Sequence, residues 1–150
     1  MWIEANPGPV GGRVAPAPVD VVAAAFKAFR QQDRTAMLAI MDPEIEFRTV
    51  SGLGLMGETG HGADAVLGWF DQMDEDDSWL LASPRTIEDI GDGWVIAVGT
   101  ASEKARGGGR FAATVAWLFK IRDGRMQSAI GYPSADEARR AVEERRSGLA

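Results

Sequence analysis

The chain has 150 residues, a formal net charge of −6, 45% hydrophobic and 25% charged residues, and no cysteine. That length suits one domain with a real core and is short for two. The acidic balance offers no basic face to neutralise phosphates, which argues against nucleic acid, and the missing thiols exclude disulfides and thiolate metal sites.

Residues 1–18 hold four prolines and three glycines and read as a flexible N-terminal arm. The arm lacks the basic-then-apolar pattern of a secretion signal. No apolar run approaches the roughly 20 residues that span a bilayer, so a cytoplasmic protein with no membrane partner is expected. Val19, Val22, Phe26 and Phe29 then share one helical face behind Pro18, a first-turn residue. Asp33 caps a second short helix, in which Met37, Ile40 and Met41 share a face until Asp42-Pro43 stops it. Residues 44–50 alternate as a strand.

The next stretch, SGLGLMGETGHG over residues 51–62, contains Gly52-x-Gly54-x-x-Gly57 and His61, the one histidine. A dinucleotide loop joins a strand directly to the helix whose N-terminus meets the pyrophosphate. Here the helix starts only after Gly62 and no βαβ unit follows, so the stretch reads as a loop after an edge strand and no cofactor is expected. His61 stands just before the helix start, a place for surface exposure or backbone capping, with acid–base work as the rival role. One histidine and no cysteine disfavour zinc, and no metal is expected.

Ala65, Val66, Trp69, Phe70 and Met73 mark the third helix, which runs into the acidic run 71–77. That run lacks the glycine and distal glutamate of a calcium loop and reads as a solvated helix end, although acids there oppose the helix dipole. Residues 79–90, 94–103, 110–121 and 125–132 read as four strands joined by turns at Gly91-Asp92-Gly93, 104–109 and Asp123-Gly124. Ser134 with Glu137 makes a capping box for a last helix that turns Ala138, Ala141 and Val142 inward. A single domain over residues 19–147 with a tail at 148–150 follows. Helices and then a meander give an α+β domain, with helices packed on one face of the sheet.

The strands 94–101 and 110–121 are apolar on both faces. Phe111, Val115, Trp117, Phe119 and Ile121 share one side; Ala112, Thr114, Ala116 and Leu118 share the other. With helices covering one side, a second subunit is the simplest cover for the other, so a homodimer through the sheet face is expected.

Asp42-Pro-Glu-Ile-Glu-Phe47, Gly62-Ala-Asp-Ala-Val66 and Phe119-Lys-Ile-Arg-Asp-Gly-Arg-Met126, followed by Tyr132 and Glu137-Ala138, stand in this order along residues 19–142. In this the chain resembles the nuclear-transport-factor-2-like superfamily, specifically its SnoaL-like branch. The resemblance implies a cone: a strongly curved mixed or antiparallel sheet wrapped around the N-terminal helices, a cystatin-like or SnoaL-like roll, open at one end above an apolar pocket. Leu53, Leu55 and Met56 would then lie at the mouth as a lid. Such folds host isomerases, cyclases, dehydratases and epoxide hydrolases, and also proteins without chemistry, so the residues must decide.

Steroid isomerases of this fold use a tyrosine on the first helix, an aspartate base on the first strand and a protonated aspartate on the penultimate strand. The matching positions are Phe26, Arg48 or Thr49, and Trp117, so all three roles are vacant. Limonene-type epoxide hydrolases use Arg-x-Asp on a middle strand and an aspartate before the last strand's tyrosine. Residues 94–103 hold no Arg-x-Asp, and Gly131 precedes Tyr132. What remains is an interior of Phe26, Phe29, Phe47, Trp69, Met73, Trp117 and Phe119, with Arg48, Thr114, Ser128 and Tyr132 as the polar groups to orient a ligand. The expected function is binding of a small apolar molecule. Its rivals are an enzyme on a polyketide-like or terpenoid substrate, with His61 or Tyr132 carrying the proton, and a dimerising scaffold with a filled cone.

Overall fold

The computed structural model describes residues 16–76, 78–105 and 107–148. The proline-rich arm expected at the N-terminus lies outside them up to residue 15, and its last residue, Pro18, is already helical. Helix α1 (Pro18–Gln31) starts on that proline, whose missing N–H would be unpaired in a first turn anyway, and buries Val21, Val22, Ala25, Phe26 and Ala28. Gln32 ends it in the left-handed region at φ 51°. Helix α2 (Arg34–Ile40) follows at once, capped as expected by the Asp33 carboxylate, which accepts the Ala36 N–H at 3.0 Å.

Among the described residues, six strands form one mixed sheet in the order β2-β1-β6-β5-β4-β3. They are β1 (Met41–Val50), β2 (Met56–His61), β3 (Trp79–Gly91), β4 (Trp94–Lys104), β5 (Arg110–Arg122) and β6 (Arg125–Tyr132). Only the β1–β6 pairing is parallel. Between β2 and β3 runs helix α3 (Ala63–Asp76), and after β6 comes helix α4 (Ala135–Arg146). Ser134 caps α4 through the Glu137 N–H at 3.2 Å while its hydroxyl meets the Glu137 carboxylate, the capping box read from the sequence.

Two expectations change. The stretch 51–62 is not all loop: residues 56–61 form the edge strand β2, antiparallel to β1, with Phe47 opposite Gly60 and Glu46 opposite His61. Helices also cover both sides of the sheet. The inner side packs Val95, Ala97, Val115, Trp117 and Phe119 against Val22, Phe26, Val66 and Phe70 of α1 and α3. On the outer side, Trp94, Ile96, Ala116 and Leu118 pack against Ala138 and Val142 of α4. The apolar outer face that called for a second subunit is therefore closed at its Trp94 end by the chain's own last helix. Toward the β4–β5 turn the outer face continues as Thr100, Ser102, Thr114 and Ala112, which are half-buried or exposed.

The acidic end of α3 also acquires a partner. The Arg34 guanidinium bonds the Asp71 carboxylate and stands 3.8 Å from that of Asp74, so a cation from α2 offsets charges that the helix dipole disfavours. Asp77 lies outside the described residues.

Candidate functional site

Between the inner sheet face and α1, α2 and α3 lies a cavity of about 120 Å³, partly open to solvent. Its floor is made of rings. Phe26 meets Trp117 edge-on with centroids 5.1 Å apart, and Phe119 likewise at 5.6 Å. Such pairs contribute about 0.5–1.5 kcal/mol each beyond their area, because the positive edge of one ring meets the negative face of the other. On the helical side Phe29 stacks on Trp69 at 5.3 Å and leans on Phe70 at 5.6 Å. Phe47 closes the β1 wall. Its ring covers Gly60 so closely that a Cβ there would stand 2.6 Å from Phe47 Cζ, so the edge strand carries glycine where the ring needs room.

Of the residues expected from the sequence, Phe26, Phe29, Phe47, Arg48, Trp69, Trp117 and Phe119 line this cavity. The others do not. Met73 is buried beneath α3 in the same core. Thr114 is exposed and pairs with Thr100, on the sheet face opposite to Trp117. Ser128 is buried on that opposite face, between Glu46 and Lys120 in register. Tyr132 packs with the outer cluster around Leu118. His61 is exposed at the end of β2. Arg48 lines the wall, but its guanidinium is engaged: it donates to the Gly131 carbonyl at 3.2 and 3.0 Å and lies 4.8 Å over the Tyr132 ring.

Sequence reasoning missed Met37, Met41 and Met126, flexible thioether side chains that fill irregular gaps beside rings. It also missed Thr49. Among the described residues that line the cavity, Thr49 and Arg48 are the two polar ones, with no carboxylate and no histidine, and the Arg48 guanidinium is turned to Tyr132 of the outer cluster. The alternation of β1 signalled Thr49, two residues beyond Phe47. Nor is there a cluster of three His, Cys, Asp or Glu residues that could hold a metal ion among the described residues.

The family model for the SnoaL-like domain matches residues 22–129, most of the chain, including β1–β5 whole and the first part of β6. The chain belongs to the SnoaL-like domain family. Its fold is that of the nuclear-transport-factor-2-like proteins. One such protein from Burkholderia thailandensis E264 is 25% identical, with a TM-score of 0.64 over 78% of this chain and 90% of its own. A candidate polyketide cyclase from Pseudomonas putida KT2440 shares 15% identity and a TM-score of 0.61, covering 79% of this chain and 92% of its own. TerC, co-crystallised with polyporic acid, shares 16% identity at a TM-score of 0.61, covering 85% of this chain and 99% of its own. No curated protein matches the sequence.

Proposed function

We propose that this SnoaL-like protein binds a small, flat, apolar molecule in the cavity over Trp117. The observation that carries the reading is the lining: aromatic, aliphatic and thioether side chains throughout, broken by Thr49 and an Arg48 already held by Gly131 and Tyr132. The volume of about 120 Å³ supports an open interior over a filled scaffold. An apolar cavity of about 150 Å³ stays dry and takes up benzene, so one ring is the scale of the ligand. The co-crystallised TerC and the candidate polyketide cyclase are fold likenesses that support a small-molecule site.

The enzyme reading draws on the same cyclase likeness. Among the described residues it finds no proton carrier at the cavity: His61 and Tyr132 stand elsewhere and no carboxylate is in the lining. Binding is thus the reading we favour. A second copy covering the remaining outer face around Thr100 and Thr114 belongs to this proposal, as does a cytoplasmic location; no helix among the described residues is long and apolar enough to cross a membrane. Native mass spectrometry of protein from its source cells tests both main points. A retained small apolar mass on a dimer is expected. A ligand-free monomer from fresh lysate that also takes up no added monocyclic aromatic would refute the proposal.

A further inference from the structure

We propose that residues 51–55, between β1 and β2, are a self-braced lid over the cavity and that Glu103 is its latch. This deepens the binding reading and rests on it. The lid contains the first two glycines of the Gly-x-Gly-x-x-Gly spacing.

The turn holds its own shape. Ser51 Oγ accepts the N–H groups of Leu53 at 3.1 Å and Leu55 at 3.3 Å, while the Ser51 N–H donates to the Leu55 carbonyl at 2.9 Å. Gly54 donates back to the Ser51 carbonyl at 2.8 Å. A segment closed on itself in this way moves as one piece rather than unravelling.

Its seat is the Ala113 end of a row of small side chains. Ala82, Ala101 and Ala113 stand side by side in register on the inner face, and the first two line the cavity. The lid backbone lies against this end of the sheet. A Cβ on Gly54 would stand 3.8 Å from that of Ala113, and one on Gly52 would fall 2.5 Å from the Phe111 carbonyl oxygen. Glycine is thus required at position 52 for the closed approach. Among the described residues, one side-chain bond ties the lid across to β4: the Gly52 N–H donates to Glu103 Oε1 at 2.9 Å. Leu53 and Leu55 are 56% and 63% exposed, so their side chains do not anchor it in the core. A cover with a rigid shape, a glycine seat and a single polar tie opens when the tie is released.

A hydrogen bond to a charged acceptor is among the stronger ones; at a half-buried site its loss raises the open population about tenfold. The probe is nitrobenzene, a monocyclic apolar quencher of tryptophan, mixed with the full chain in stopped flow. With Glu103→Ala, both association and dissociation rates rise about tenfold while Kd stays within about twofold, and amide hydrogen exchange at Gly52 accelerates by the same factor. Glu103→Gln, which keeps a carbonyl acceptor, falls between. Unchanged uptake rates in a folded Glu103→Ala protein overturn the proposal, as does faster exchange at Gly52 without faster uptake. Should Glu103→Ala fail to fold, Ser51→Ala, which unbraces the turn, is read by the same two measurements. Ala101→Phe, which fills part of the cavity, separates the two readings. Undiminished binding in that variant refutes the cavity as the binding site, whereas hydrogen exchange at Gly52 still reports the lid.

Discussion

Replacing Phe26 by alanine tests the ring floor most directly. Phe26 is 6% exposed and touches both Trp117 and Phe119 edge-on. Returning a phenylalanine side chain to water forfeits about 1.5–3 kcal/mol of burial. The two ring pairs add about 0.5–1.5 kcal/mol each. The sum, about 2.5–6 kcal/mol, brackets the roughly 3–5 kcal/mol that Phe-to-Ala changes cost in well-packed cores, and that narrower range is used here. At about 2–4 °C per kcal/mol for a domain of this size, Tm falls by about 6–20 °C, with the lower half expected because the site adjoins an existing void. Scanning calorimetry or circular dichroism at fixed protein concentration reads it. The enlarged cavity should then bind toluene more tightly than the parent, and saturating toluene should recover part of the lost Tm. A double-mutant cycle with Trp117→Ala isolates the edge-on pair, whose coupling should be about 0.5–1.5 kcal/mol. A Tm shift below about 3 °C, or a coupling indistinguishable from zero, would show that these rings do not form a packed floor.

Other substitutions probe separate parts. Gly60→Ala puts a methyl group into the Phe47 ring, which must swing toward the cavity; stability drops by about 1–3 kcal/mol and toluene affinity falls in a titration, whereas unchanged affinity would place the ring elsewhere. Ser134→Ala removes the α4 cap and lowers stability by about 1 kcal/mol in urea unfolding, with the m-value unchanged. Asp71→Asn breaks the exposed pair with Arg34, whose side chains are 65% and 39% accessible, and should shift stability by no more than about 1 kcal/mol, less at high salt. A larger loss would mean that α3 depends on this pair for its position.

Much of the architecture was readable because its signals are strongly periodic. The five-residue set Phe111, Val115, Trp117, Phe119 and Ile121 lies on one strand face, the β3–β4, β4–β5 and β5–β6 turns each carry glycine, and a capping serine opens α4. Strand β2 escaped notice because Met-Gly-Glu-Thr-Gly-His has little β preference of its own. It is a strand because β1 offers it an edge and because its glycine makes room for Phe47. The return of α4 onto the outer face was likewise invisible, since a helix's apolar stripe does not say which side of a sheet it meets.

Errors in the candidate site have a more specific origin. Thr114 differs from Trp117 by an odd number of positions, and strict alternation already put them on opposite faces. Ser128 and Tyr132 needed the register of the β5–β6 hairpin, which slips between Lys120 and Ile121. Met126 pairs with inward Ile121 while Ser128 pairs with outward Lys120, so two residues of equal parity look in opposite directions. One extra residue in a strand moved the expected polar handles out of the interior, and nothing in the local sequence announces it.

The division of the hollow into a ring-built base and an alanine-built upper wall separates two duties. Phe26, Trp117 and Phe119 hold the architecture together, whereas Ala82 and Ala101 mainly leave room. Exchanging those alanines for serine, valine or leucine would retune which guest fits while leaving the supporting rings in place. Selectivity in such a chain can drift across generations at little risk to the scaffold that carries it.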